Sequence, residues 1–547
     1  MPGDWRDAFD PEEIEQERRK AAEDEASRKP NGYGPQLQSA SLSIIHVIKG
    51  ERNRAADAGL AAMAAAKTPF YQRGGRLVRV CAVKAKNADG ETIMVPGIVP
   101  VTPPVLSREL ALAAQWERLD ARSNKWTKID PPPDVAAQIM ELVEEWPFPP
   151  LSGVICSPTI RHDGSILDAG GYDDRTGLVM YNGISMPPIS PNPTFAGAQE
   201  AVNVLLELLE EVPFVNDASK SAALSMLMTP VLRGAMTAAP MHLVTAPEAG
   251  TGKSYLADIA SAIATGERAA VIAASKNNDE TEKRLVGAAL AGYPIIALDN
   301  CRDILEGDFL CQVTERPLLQ LRALGRSDKH RVSNSFSVFA NGNNVAVGDD
   351  MVRRTISCAL DANMESPETR EFKSNPLAAV MRDRGKYVRA ALTIARAYTV
   401  AGRPGRLRPL ASYEGWSDFV RSPLVWLGCR DPVEMIETSR GADPVRQERV
   451  TLFEAWRDDL GTDQAFLPPE IIEQATARYS YEGTLIRPAL NAILVEKCQK
   501  LGAPSGQISP ERVGRLLARH KNTIADGLKL TADDSDKKRV RYRVGRA

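Results

Sequence analysis

Gly252, Lys253 and Ser254 close the loop in the stretch MHLVTAPEAGTGKSYLADIA (Met241 to Ala260), and they are the residue types that phosphate chemistry needs. Small residues let backbone N–H groups converge on an anion, a lysine reaches its outer oxygens, and a hydroxyl holds a divalent cation. The apolar run MHLVTA ahead of the loop predicts a buried strand and the run behind it a helix, the order such a loop requires. Ala249, Gly250, Thr251, Gly252, Lys253 and Ser254 are therefore expected to cradle the phosphates of ATP. Lys253 would sit on the β and γ phosphates and Ser254 on Mg2+. Pro247 stands where the usual pattern has its first glycine. It removes one N–H and fixes φ, but that position shapes the turn more than it touches phosphate, so binding is expected to survive.

Three later segments supply what a triphosphate site would use. YPIIALDN places Asp299 at the end of an apolar strand, where it can hold the magnesium through water. The next residue is Asn300, so no general base is visible beside it; Glu282 and Asp303 are alternatives, neither ranked above the other. SFSVFANGNN ends a second strand in Asn341, Asn343 and Asn344, each able to orient a water or sense a γ-phosphate, with Asn343 favoured. GDDMVRRTISCAL adds Arg353 and Arg354, cations that could reach a phosphate in a neighbouring subunit, with Arg354 preferred.

The elements that must position these residues alternate. After MHLVTA come a helix, the strand AAVIAA, the helix DETEKRLVGAALAG, the strand YPIIALDN, the helix DFLCQVTE, the hairpin LLQLRALGRSDKHRVSN and the strand SFSVFANGNN. Such alternation predicts an α/β unit with a parallel sheet. At 547 residues the chain is expected to hold further domains, and we place them as follows. Residues 1–38 mix charges with few apolar anchors and read as a frayed or disordered arm; 39–190 form an N-terminal α+β domain. A helical lead-in spans 191–235, the sheet unit 236–365, a helical lid or linker 366–464, and a C-terminal domain 465–547.

In that last block Ser509 and Pro510 start a helix with Val513, Leu516 and Leu517 inward and Arg512, Arg515, Arg519 and Lys521 outward. The strands DGLKL and RVRYRV follow, so helix then hairpin reads as a winged helix on duplex DNA. From Glu511 to Ala547 there are 11 Lys/Arg against 5 Asp/Glu, on a chain of net charge -2. That local surplus is the footprint of a polyanion-binding module, although winged helices also dock proteins.

The segments APEAGTGKS, IIALDNC, RALGRSDKHRVSNSFSVFANGNN and GDDMVRRT resemble the AAA+ class of ATPases. Within it they resemble the superfamily 3 type and primase-associated replicative helicases of phages, plasmids and integrative mobile elements. SPTIRHDGSILDAGGYDDRTGLVMY looks like their lead-in domain, and the resemblance covers roughly residues 150–430. It implies a homo-oligomer, a hexameric ring that hydrolyses ATP to translocate on single-stranded DNA held in its channel. It also implies that the hairpin before the amide strand points Arg326, Lys329 and His330 into that channel. Pro247 and Asn300 depart from the family pattern, and Asn300 puts the hydrolysis rate in question.

The expected function is an ATP-dependent DNA helicase for replication of a mobile element. The alternatives are an AAA+ initiator or remodeller without processive unwinding, and a DNA-binding scaffold with a degenerate ATP site. Asp163, Asp173 and Asp174 lie in turn-like stretches, so a primase is expected to be a separate partner. No apolar run approaches the ~20 residues of a membrane span, and the start of the chain lacks a secretory core, so a cytoplasmic location without a membrane partner is expected. The seven cysteines are scattered, with neither zinc nor disulfide spacing.

Overall fold

The computed structural model describes residues 42–547, apart from 275–277, 303, 323–328, 463, 482, 503, 505 and 534–538 and the side chains of 278, 329, 349, 442 and 444. The expected N-terminal arm lies outside the described residues. The chain divides into two compact units. One runs to Val345 and resumes over Arg353–Ile436; the other comprises Ala346–Val352 and Glu437–Ala547.

The first unit begins with a small α+β part. Ser43–Val47 pairs in parallel with Ala114–Asp120, which pairs antiparallel with Lys125–Ile129. Helices Arg52–Ala65, Pro103–Ala113 and Pro133–Met140 cover one face of that sheet and bury Leu60, Met63, Leu106, Leu110, Trp116 and Ile139. The last helix stops at Met140 and leaves Val143 51% exposed. An antiparallel meander, Tyr71–Arg73, Arg76–Lys86 and Thr92–Pro100, follows.

The centre of the unit is a five-stranded sheet, parallel throughout. In chain order its parts are β1 (Met241–Ala246), α1 (Lys253–Thr265), β2 (Val271–Ala273), α2 (Asn278–Ala291), β3 (Ile295–Cys301), α3 (Asp308–Glu315), the hairpin β4 (Leu318–Arg322) and β5 (Lys329–Ser333), then β6 (Ser337–Asn343) and β7 (Thr355–Ala359). The spatial order is β2-β3-β6-β1-β7. A strand buried on both faces must be apolar along its length, and β1, β3 and β6 are buried almost throughout. This strand order brings the ends of β1, β6 and β3 side by side, which is what places residues distant in sequence at one edge of the sheet.

The N-terminal part is tied to this sheet unit by Arg73. Its guanidinium donates to the carbonyls of Leu290 (2.9 Å) and Ala289 (3.1 Å) in the last turn of α2. In the second unit, α4 (Pro444–Leu460), α5 (Pro468–Thr476), α6 (Pro488–Lys500) and α7 (Pro510–Arg519) pack on a hairpin of β8 (Leu528–Asp533) and β9 (Arg541–Arg546). Phe453, Trp456, Leu490, Val513, Leu517, Leu530 and Val544 form its core.

Candidate nucleotide site

The loop between β1 and α1 is built by backbone geometry that only glycine adopts without strain. Gly250 has φ 73° and Gly252 φ 95°, and Gly252 is the cap residue before Lys253. The free N–H groups of the first turn of α1 and the positive end of its dipole therefore face the loop. Lys253 is only 9% exposed, and its Nζ donates to the Glu248 carbonyl at 2.7 Å. Thr251 Oγ1 donates to the same oxygen at 2.7 Å. Burial lowers the Lys253 pKa from 10.5, with Asp299 and Glu248 opposing that shift. A buried ammonium on one neutral carbonyl is under-compensated, and phosphate oxygens are the stronger acceptor. The loop thus fits a polyphosphate.

Ser254 and Asp299, 45 residues apart, meet at the mouth of the loop, with Ser254 Oγ donating to Asp299 Oδ1 at 3.1 Å. A hard divalent cation is held by just such a hydroxyl and carboxylate when phosphates complete its oxygen shell. Next to Asp299 the ladder is irregular: Leu298 pairs with Ala340, but Cys301 pairs with Gly342. Asn300 lies in this bulge with φ 54°, the left-handed region, where asparagine is among the few non-glycine residues tolerated. Its N–H lies 3.4 Å from Asn341 Oδ1 and its Nδ2 3.4 Å from Asp299 Oδ2. Gly342 opposite is obligatory, since a Cβ there would come within 2.2 Å of the Cys301 carbonyl oxygen. The amide at 300 therefore has a backbone reason. Of the two alternative bases, Glu282 lies exposed on α2 and Asp303 is outside the described residues.

The three asparagines at the end of β6 have different surroundings. Asn341 is 4% exposed and faces the bulge. Asn344, with φ 48°, donates its backbone N–H to the Ala246 carbonyl (3.1 Å) and its Nδ2 to the Pro247 carbonyl (3.4 Å), bracing the loop. Asn343 is exposed and lies in register with Ala246, the last residue of β1. Asn344 is exposed as well, but its amide is taken up by the Pro247 carbonyl.

The arginine pair divides in the same way. Arg354 is 5% exposed and holds Glu315 at the end of α3 through Nη2 and, at 3.0 Å, through Nε. Arg353 is 41% exposed and only 3.7 Å from the other oxygen of Glu315. Ser412, at φ 71°, donates to that same carboxylate. Burial raises the Glu315 pKa, but Ser412 and the two arginines outweigh it, so the group sits below its ordinary value. The preferred Arg354 is thus engaged within its own chain, because adjacent residues project to different sides; Arg353 is the more exposed of the two.

In the hairpin, Leu318 pairs with Ser333 and Arg322 with Lys329. Arg326 is outside the described residues, and Lys329 is described only by its backbone position at the start of β5. His330 does not face outward. It is 6% exposed, shares the buried face with its partner Leu321, and its Nδ1 lies 2.9 Å from the Gly74 carbonyl oxygen. Strand alternation puts Arg331 on the other face, exposed, opposite Gln320. Among the described residues of the hairpin, Arg322 and Arg331 are exposed basic residues, and the period-two pattern of LLQLR and KHRVS is the signal for them. The hairpin base is fixed by the buried Arg233, which donates to the carbonyls of Phe336 (3.0 Å) and Asn334 (2.6 Å); Asn334 Nδ2 in turn donates to the carbonyls of Val313 (2.7 Å) and Arg316 (2.9 Å).

In the second unit, Ser509 Oγ caps α7, and Val513, Leu516 and Leu517 are buried. Arg512 turns back to the end of α6, donating to the carbonyls of Gly502 (2.9 Å) and Leu501 (3.2 Å). Arg515 pairs with Glu511 one turn away, Arg519 is exposed, and Lys521 is half-buried. His520, between the last two, is buried with Nε2 3.2 Å from Glu448 Oε1.

No family model matches the chain, and no curated protein matches it. Among solved structures, the apo A form of the NrS-1 C-terminal region aligns at 12% identity and a TM-score of 0.34, over 83% of this chain and 94% of that one. A second, of NrS-1 residues 305–718, aligns at 12% identity and a TM-score of 0.33, over 86% and 96%. Likeness at this level carries no functional argument. Among the described residues no helix is long and apolar enough to cross a membrane.

Proposed function

We propose that the chain is an ATP-dependent DNA helicase of the AAA+ class, acting as a hexameric ring in the replication of a mobile genetic element. The observation that carries this reading is the meeting of three sequence-distant segments at one end of the sheet: the glycine loop with Lys253 and Ser254, Asp299 against Ser254, and exposed Asn343 beside them. Ala249 to Gly252 and the first turn of α1 would hold the phosphates of ATP, Lys253 would leave the Glu248 carbonyl for them, and Ser254 with Asp299 would hold Mg2+, which neutralises charge developing on the phosphate oxygens. Asn343 would orient a water. Arg353, with Arg354 anchored behind it, would reach the site of the next subunit. Arg322, Lys329 and Arg331 on the hairpin, with Arg326, would follow single-stranded DNA phosphates. The second unit would act as a winged helix on duplex DNA, with Arg515 and Arg519 on its recognition helix, Lys521 just past the end of that helix and Arg512 bracing it.

One observation favours a second reading. The left-handed bulge at Asn300 leaves no carboxylate next to Asp299, which suits an ATP-driven initiator or remodeller with slow turnover. Strand displacement on a forked duplex, compared between wild type and Lys253→Ala, separates the two. ATP-dependent release by wild type alone supports the helicase; ATP turnover without release by wild type supports the remodeller and sinks the helicase.

A further inference from the structure

A second carboxylate lies against the loop, on the flank opposite Asp299. In the order β2-β3-β6-β1-β7, the strand delivering Asp299 stands two places to one side of β1, while β7 adjoins β1 on the other. The chain leaving β7 passes over the loop in the turn Pro367–Thr369. A Cβ placed on Gly250 would lie 2.9 Å from Glu368 Cβ, 3.0 Å from its backbone N and 3.1 Å from its Oε2.

This segment is not a free tail. Arg370 donates to the Glu211 carbonyl at 2.8 Å, and the Glu211 carboxylate accepts the N–H groups of Lys373 (2.9 Å) and Ser374 (3.0 Å). Tyr255, on α1 just beyond Ser254, donates to Asn375 Oδ1 (2.9 Å) and accepts from the Leu377 N–H (3.0 Å). Glu368 is thereby held half-buried at the loop, while its own carboxylate has no hydrogen-bond or ion-pair partner among the described residues.

A carboxylate at this place repels phosphate rather than binding it. The hydroxyl and carboxylate suited to a cation are Ser254 and Asp299, which bond each other, and Glu368 bonds neither. A carboxylate there accepts from a donor, and a nucleotide whose phosphates fill the loop offers donors on its ribose hydroxyls and on a base amine; the ribose is the group joined directly to the phosphates. We propose that Glu368 accepts the ribose hydroxyls of the bound nucleotide and so selects ribonucleoside over deoxyribonucleoside triphosphates. The proposal rests on the nucleotide reading of the loop.

Equilibrium binding of MgATP, Mg-2′-dATP and Mg-3′-dATP to the full chain tests it, in wild type, Glu368→Gln and Glu368→Ala. Wild type should prefer ATP over at least one deoxy form by about tenfold, the ratio that one hydrogen bond to a charged acceptor supplies. Glu368→Ala should bind all three alike, at the level of the weaker deoxy form in wild type, and Glu368→Gln, which keeps an acceptor oxygen, should retain part of the preference. Equal binding of all three by wild type overturns the proposal and leaves the nucleotide site standing. So does uniform tightening of all three in Glu368→Ala, which would make the carboxylate a source of repulsion only. Binding of none by wild type would bring down the nucleotide reading as well.

Discussion

The loop around Lys253 and the cluster around Glu315 each hold a buried cation, and they hold it by opposite means. Lys253 rests on one neutral carbonyl, whereas Arg354 is clamped by a carboxylate that Arg353 and Ser412 also engage. A charge held by a weak partner can be handed to a ligand; a charge held by an ion is a strut. Two basic positions that look equally chemical in sequence therefore take different roles, one reactive and one architectural.

The largest effect that follows from this contrast is at Lys253. Lys253→Ala should leave the fold intact yet weaken MgATP binding by about a hundredfold, as expected when a charged phosphate contact is lost, and abolish turnover. Calorimetric titration with MgATP checks it, and binding within a few-fold of wild type would place the phosphates elsewhere.

At the other cluster the pattern should invert. Arg354→Ala should destabilise the chain by about 3 kcal/mol, because it takes the closest cation from a carboxylate that is only 20% exposed and leaves it with Ser412 and the more distant Arg353, while MgATP still binds. Arg353→Ala should change stability by no more than about 0.5 kcal/mol, as for other exposed pairs, yet remove ATP turnover in the assembled protein. Thermal melts and ATPase assays on both variants decide it. A stable Arg354→Ala that has lost turnover would restore Arg354 as the reaching arginine.

Next in size is the bulge. Asn300→Gly should be neutral within about 0.5 kcal/mol, whereas Asn300→Glu should cost roughly 1 kcal/mol for a left-handed residue with a Cβ and a long side chain. Turnover should not rise in Asn300→Glu; a gain would show that the bulge can present a carboxylate to water.

These contrasts mark where the sequence was legible. The parallel sheet, the glycine loop and the inward face of α7 follow from periodicity and spacing, local properties that a single stretch of chain records. The strand order does not, because it depends on which strand inserts between β1 and β3, and that insertion is what brings Asn343 to the loop. Nor does the division of labour within Arg353 and Arg354, or among Asn341, Asn343 and Asn344, since side-chain direction at a strand end depends on bulges such as the one at Asn300. His330 was misjudged for a readable reason: its alternation with Lys329 and Arg331 already assigned it to the face of Leu321. Glu368 had no local signal at all, as it meets Gly250 only through the fold.

The smallest effect, and the sharpest on the contrast, is in pH. Glu315 lies below its ordinary 4.5 in the folded chain: burial pushes it up, and the bonds from Ser412 and Arg354 more than reverse that. A depressed carboxylate stabilises the fold fully above its unfolded value and loses that contribution as pH falls through the folded one. The melting-temperature gap between wild type and Glu315→Gln should therefore be widest near neutrality and close as pH drops below 4.5. Lys253 behaves in the reverse sense. Burial lowers it from 10.5, so the unfolded chain binds the proton more tightly and wild type should gain stability as pH rises toward 10.5. Lys253→Gln, which has no proton to lose, should show no such gain, so the two gaps slope at opposite ends of the pH scale. A Glu315→Gln gap that stays flat into acid would mean that the Arg354 strut is held by packing rather than by charge, and the distinction between the two cations would then lie elsewhere.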